Sequence, residues 1–275
     1  MAVPGYKLIV SDFDGTLRRS EGGISDGNIK AIEDYVAAGG VFAFCTGRML
    51  SSILPYAKQL GLRGLVVAYQ GAVIADIESG RILRDVRIPS EDAVRICEFL
   101  QSLGRHIHVY DGDDVYINRD DEMKGYYEKV CGVSGILTGE DIASFVREKG
   151  ICPQKVLAMN PAEENGGIFG KVNERFGTAF DVTCSSDFLV EVTSPDCNKG
   201  GALEFLADYY KIPLDKTAAI GDNYNDIPMI RKAGLGVAVE NGVPDIRKAA
   251  AFVTKNCDED GVGYVIRKFG LGENV

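Results

Sequence analysis

Short apolar runs, each followed by a segment of helical period, recur at both ends of this 275-residue chain. Near the start these are "YKLIV" (6 to 10), "VFAFC" (41 to 45) and "LVVAY" (65 to 69). Near the end they are "TAAIG" (217 to 221), "GVAV" (236 to 239) and "AFVT" (251 to 254). A strand apolar on both faces needs cover on both faces, which is the signature of a parallel sheet layered between helices. The first intervening segment, "GNIKAIEDYVAAGG", sets Ile29, Ile32 and Val36 at helical spacing, with Ser25 as N-cap and Gly39-Gly40 as the stop. Helices are expected again over 199 to 210, 225 to 233 and 243 to 250.

The middle of the chain follows a different grammar. Pro89 breaks the alternation, and Ser90 with Glu91 and Asp92 reads as a capped, dipole-matched helix start. "IHVYDGDDVYIN" (107 to 118) reads as a hairpin around an Asp-Gly turn. "KVLAMN" (155 to 160), "TAFDVTC" (178 to 184) and "DFLVEVT" (187 to 193) read as further strands. The expected fold class is therefore α/β, a doubly wound, mainly parallel, Rossmann-like sheet interrupted by an inserted α+β cap domain. The core would occupy residues 1–84 and 193–275, and the cap 85–192.

A composition of 45% hydrophobic and 25% charged residues supports a sizeable core. The net charge of −10 argues against nucleic acid as a partner, because such binding rests on basic patches. No apolar run approaches a membrane span and the N-terminus has no long apolar leader, so a cytoplasmic protein without a membrane partner is expected. The seven scattered cysteines (45, 97, 131, 152, 184, 197 and 257) include no CxxC pair, which predicts reduced, mostly buried thiols.

Ligands of open parallel sheets bind beyond the carboxyl ends of the strands. There this chain places Asp12 and Asp14, then Thr46, Gly47 and Arg48, then Gln70 and Gly71, and then Asp222, Asn223, Asn225 and Asp226. Lys199 opens the helix that re-enters the core, an unfavourable position for a cation. Converging carboxylates repel one another unless a positive charge sits among them. An all-oxygen set of this kind suits Mg²⁺, which takes one or two carboxylates plus water and substrate phosphate. Lys199 and Thr46 can supply charge and a hydroxyl donor to a transferring phosphoryl group.

These stretches together resemble the haloacid dehalogenase (HAD) superfamily, whose four motifs correspond to "DFDGTL" (12 to 17), "CTGR" with Thr46, Lys199, and "GDNYNDIPM" (221 to 229). The inserted α+β region resembles the large cap of the Cof-type subgroup with a C2B cap. The resemblance implies a phosphatase acting on a small phosphorylated metabolite such as a sugar phosphate. It implies Asp12 as nucleophile and Asp14 as general acid and base. It also implies Mg²⁺ held by Asp12, the backbone carbonyl of Asp14 and Asp222, with Asp226 as a further acid of the metal shell. Thr46, Gly47, Arg48, Lys199 and Asn225 would contact substrate. Gln70 departs from the family, in which many members carry Asn before the glycine, and Asp196 is an extra acid before the lysine.

A phosphomutase of the same superfamily shares the paired aspartates, and a phospho-accepting signalling or phosphate-binding module shares the acids, Thr and Lys. The large insertion and the Asp-x-Asp spacing weigh against the latter. His106 and His108 are expected on a surface strand of the cap, and "DGDD" (111 to 114) in a hairpin turn, neither as a metal site. The loops "IHVYDGDDVYIN" and "CSSDFL" are candidates for reaching the substrate. Oligomeric state is not readable from this sequence.

Overall fold

The computed structural model describes residues 5–275, leaving aside the side chains at 130 and 131, the latter being one of the seven cysteines. Strand β1 (Leu8–Ser11) leads into α1 (Asp26–Ala37), β2 (Val41–Phe44), α2 (Leu50–Gln59) and β3 (Leu65–Ala68), then β4 (Val73–Asp76) and β5 (Ile82–Asp85). The middle supplies α3 (Ser90–Ser102), β6 (His106–Asp111), β7 (Asp114–Ile117), α4 (Glu122–Cys131), β8 (Ile136–Leu137), α5 (Ile142–Lys149), β9 (Lys155–Met159), α6 (Ala162–Phe176), β10 (Asp181–Ser186) and β11 (Leu189–Thr193). The chain returns through α7 (Lys199–Tyr210), β12 (Thr217–Gly221), α8 (Ile227–Lys232), β13 (Leu235–Val239), α9 (Pro244–Ala249), β14 (Phe252–Thr254) and α10 (Gly261–Val265).

The outer segments share one parallel sheet of order β14-β13-β12-β1-β2. Its strands are apolar on both faces because each face feeds a separate core. Ile9, Phe42, Ile220 and Val237 pack on one side with Tyr35 and Val265. Leu8, Val10, Ala43 and Ala219 pack on the other with Leu206 and Met229. From β1 the chain moves outward to β2, and on its return it enters on the opposite side at β12. Strand order therefore reverses between β1 and β12, where a crevice opens at the carboxyl ends.

The middle segment forms a six-stranded sheet of order β10-β11-β9-β6-β7-β8, antiparallel except for the β7–β8 pair. Period-2 alternation divides it. Val156, Ala158, Val190 and Val192 pack under helices with Ile96, Ile142 and Ile168. Lys155, Leu157, Met159, Leu189 and Glu191 occupy the alternate face.

Several local expectations change. The third core strand is tied to the end of β2 by a single bridge, Cys45 to Val67, and pairs instead with β4, which pairs in turn with β5 in an antiparallel sheet. Ser25 does cap α1, accepting from the Asn28 N–H, but Val36 is exposed and Tyr35 takes the buried position. Ser90 is the first helical residue of α3 and not its cap; Pro89 stands before it, and Glu91 and Asp92 occupy the first turn. The expected helix over 225 to 233 starts as a 3₁₀ turn, Tyr224–Asp226, before α8. His106 and His108 are buried, not on the surface: the hairpin's inner strand is covered by α4, and the two Nε2 atoms lie 2.9 Å apart. Burial, then His106 and Lys155, hold His108 well below the usual imidazole range. No helix of the described residues is long and apolar enough to cross a membrane.

Candidate active site

The register Ser11 to Ile220 brings the ends of β1 and β12 level, and the Asp12 N–H donates to the Ile220 carbonyl at 2.9 Å. The acids that follow these strands consequently meet. One carboxylate oxygen each from Asp12, Asp222 and Asp226 lies within 4.8 Å of the others. Lys199 is fully buried among them and donates to Asp12 Oδ1 and Asp226 Oδ1, both at 2.6 Å. Its place at the start of α7 opposes the helix dipole, and two carboxylates at contact distance outweigh that effect. Burial alone would lower the ammonium's pKa; Asp12 and Asp226 raise it above the ordinary value.

The acids themselves are under strain of charge. Burial lifts the Asp12 carboxyl well above the usual carboxylate range, with Lys199 opposing and Asp226 and Asp222 reinforcing the shift. Asp222 is pushed up to about 7 by burial and then by Asp226. One ammonium does not satisfy three converging carboxylates, two of them buried.

Asp226 is the most committed of the three. Its Oδ1 takes Lys199, and its Oδ2 accepts the N–H groups of Asp222 and Asn223 at 3.0 and 3.1 Å, which folds the "GDNYND" stretch into a turn. Asp222 Oδ1 accepts from the Thr16 hydroxyl at 2.7 Å. Gly15, at φ +75°, leaves room for it: a Cβ there would fall 2.7 Å from Asp222 Oδ2. The hard, all-oxygen donor set and the uncompensated charge fit a metal ion, which Asp12, Asp222 and Asp226 could hold between them.

Asp14 points elsewhere. Phe13 is buried between them, against Phe44 and Tyr56, so successive residues diverge. The Asp14 carboxylate accepts from Arg48 Nε and Nη2 at 2.6 and 2.7 Å, outside the three-acid group. Arg48, expected on substrate, lines the cavity, and its guanidinium donates to Asp14 and to Ser52 Oγ at 3.1 Å and lies 5.0 Å from the Phe13 ring centre. Thr46 is buried at the cavity wall, and its Oγ1 accepts from the Arg48 N–H at 3.2 Å.

A cavity of about 250 Å³ joins Asp12, Asp14, Thr46, Gly47, Arg48 and Asn225 to residues of the cap. The structure thus gathers these positions, while Lys199, Asp222 and Asp226 join the site through Asp12 and do not line this cavity. Of the two loops expected to reach the substrate, "CSSDFL" contributes Ser185, Ser186, Phe188 and Leu189, whereas "IHVYDGDDVYIN" contributes no lining residue.

Sequence reasoning missed the charged contacts of the cap. Lys155 Nζ donates to the Gly47 carbonyl at 2.9 Å and to Glu191 Oε1 at 3.2 Å; both side chains are buried and line the cavity. Glu191 also accepts from Ser185 Oγ and from Gln70 Nε2, each at 2.8 Å. Gln70 Oε1 in turn accepts from Asn225 Nδ2 at 3.1 Å, so the longer amide spans core and cap. The available signal was a single acid, Glu191, interrupting the apolar strand "LVEVT".

A family model described as haloacid dehalogenase-like hydrolase matches residues 9–266. A Haemophilus influenzae protein is 31% identical over 263 residues, covering 96% of this chain and 98% of its own length. A 5-amino-6-(5-phospho-D-ribitylamino)uracil phosphatase of Bacillus subtilis is 27% identical over 288 residues, covering 97% of this chain and 99% of its own. Among solved structures, a haloacid dehalogenase-like hydrolase from Bacteroides thetaiotaomicron superposes with a TM-score of 0.82 at 26% identity, covering 96% of this chain and 99% of that one. With two cores on one parallel sheet, acids at its switch point and a family match from β1 to the end of the fold, the chain belongs to the haloacid dehalogenase-like hydrolases.

Proposed function

We propose that this hydrolase, a phosphatase by its family, cleaves a small phosphomonoester through an aspartyl-phosphate on Asp12, with Mg²⁺ as its cation. The observation that carries the reading is the meeting of Asp12, Asp222 and Asp226 around one buried Lys199. Asp12 attacks phosphorus while the bond from phosphorus to the leaving oxygen breaks. Asp14, released from Arg48, gives its proton to that oxygen; it then takes a proton from the water that attacks the aspartyl-phosphate, yielding free phosphate and restoring Asp12. Lys199 and Thr46 hold the equatorial oxygens as charge redistributes. A bound Mg²⁺ would offset the charge of Asp12 and Asp222 and polarise the phosphoryl group.

The cap contributes exclusion of water and selection of the leaving group. The named Bacillus relative acts on a ribityl phosphate, which supports a polyhydroxylated phosphomonoester as the substrate class here. Phosphate release from a panel of phosphorylated metabolites with added Mg²⁺, with Asp12→Ala as the blank, tests the reading. Turnover of at least one compound by the unaltered chain alone is expected; equal release by the Asp12→Ala chain would overturn it.

A further inference from the structure

The stretch "DGTLRRS" continues past the catalytic aspartates into two arginines, and both line the cavity that contains Asp12 and Asp14. The other charges at this cavity have partners. Arg48 holds Asp14, Lys155 holds Glu191, and Lys199 holds Asp12. Among the described residues, the Arg18 side chain has only a long ionic contact, Nη1 to Asp14 Oδ1 at 3.7 Å. Arg19 has no ion pair or side-chain hydrogen bond among the described residues. Asp258, the acid it influences, is already taken by the Ser20 N–H and hydroxyl at 2.9 and 2.7 Å. In both arginines the Nε–H is buried without an acceptor.

Two half-buried guanidinium groups whose Nε–H groups have no acceptor among the described residues, in a chain whose net charge is −10, offer donors suited to an anion. Their position is fixed by the backbone: Arg18 bridges to Asp14, and Arg19 closes a turn through its N–H to the Gly23 carbonyl at 3.0 Å. Arg18 stands beside Asp14, and both arginines line the cavity that Asp14 lines, whereas Lys199, where the transferred phosphoryl group is expected, does not line it.

We propose that Arg18 and Arg19 form an anion subsite for a second acidic group on the substrate, a carboxylate or a second phosphate carried by the leaving group. The proposal rests on the phosphatase reading above and narrows its substrate class to doubly anionic compounds. A guanidinium fork matches either oxyanion in bidentate geometry, so the two sources share one chemistry.

The test compares kcat/KM in matched pairs: phosphoglycerate against glycerol phosphate for the carboxylate, and a hexose bisphosphate against the hexose monophosphate for the second phosphate. The unaltered chain should favour the doubly anionic member of at least one pair by about tenfold or more, and that pair identifies the anion. Arg19→Ala should collapse the ratio to within about twofold of unity, and Arg19→Lys should restore part of it. Because the readout is a ratio, a general loss of activity or folding cancels. No preference in either pair, or a preference that survives Arg19→Ala, overturns the subsite while leaving the phosphatase reading intact. Failure to hydrolyse any member of either pair, with other phosphomonoesters turned over, also overturns the subsite; failure on every phosphomonoester overturns the reading beneath it.

Discussion

Arg48 grips both carboxylate oxygens of Asp14, so the group assigned to proton transfer is held by a guanidinium that is itself buried against Phe13. The pair must part before Asp14 can protonate a leaving oxygen. Asp14→Asn should lower kcat by about 10²-fold for alkyl phosphates, whose leaving group needs a proton. The loss should be much smaller for p-nitrophenyl phosphate, whose leaving group does not. Equal losses on both would separate Asp14 from the proton-transfer step.

Lys199 is the internal counter-ion of Asp12 and Asp226, and nothing else among the described residues replaces it. Lys199→Met is expected to cost about 3–5 kcal/mol of stability, because buried carboxylates lose their partner, and to lower kcat by about 10²-fold or more. Chemical denaturation and steady-state kinetics measure the two effects. A variant as stable as the original chain would show that the acids do not depend on Lys199.

Asp181 supplies a pH dependence with a definite sign. Burial, and then Glu191, push its carboxyl up to about 6 from 3.8. The folded state therefore holds the proton more tightly than the unfolded one. This contribution favours folding below pH 4, declines as pH rises to about 6, and is lost above it. Asp181→Asn should remove the decline and stabilise the protein at pH 7 by about 1–3 kcal/mol. Thermal unfolding of both chains between pH 4 and 7 checks this; parallel profiles would contradict it.

Much of the core was legible because its signals are local. Apolar runs gave the parallel strands, and polar residues at their carboxyl ends gave Asp12, Thr46 and Asp222. Contacts between distant segments were not legible. Nothing near position 48 announces that Arg48 will close on Asp14, and nothing near position 155 announces that Lys155 will reach Gly47. The buried histidines failed for the same reason: a strand pattern cannot say that α4 will cover one particular strand. The antiparallel β4 and β5 escaped because β3 looked like its parallel neighbours, being apolar throughout.

Gln70 joins the two layers, donating to Glu191 of the cap and accepting from Asn225 of the core. Its φ of +60° lies in the left-handed region, which Asn tolerates better than most residues. Gln70→Asn therefore keeps the backbone and shortens the reach by one methylene. We expect a loss of about 1 kcal/mol in stability and a raised KM with kcat less affected, since the cap is held less firmly over the substrate. An unchanged KM would show that this bridge does not govern closure.

Asp12 is the residue proposed to receive the phosphoryl group. The direct measurement is acid quench of the enzyme during turnover with Mg²⁺ and a hydrolysed substrate, followed by mass spectrometry of the peptide spanning "VSDFDGTLRR". One phosphoryl group is expected on Asp12 in the unaltered chain, and none in Asp12→Asn or after removal of the metal by a chelator. Phosphate release that continues at the original rate in Asp12→Asn, or a phosphoryl group on another residue, would contradict this assignment.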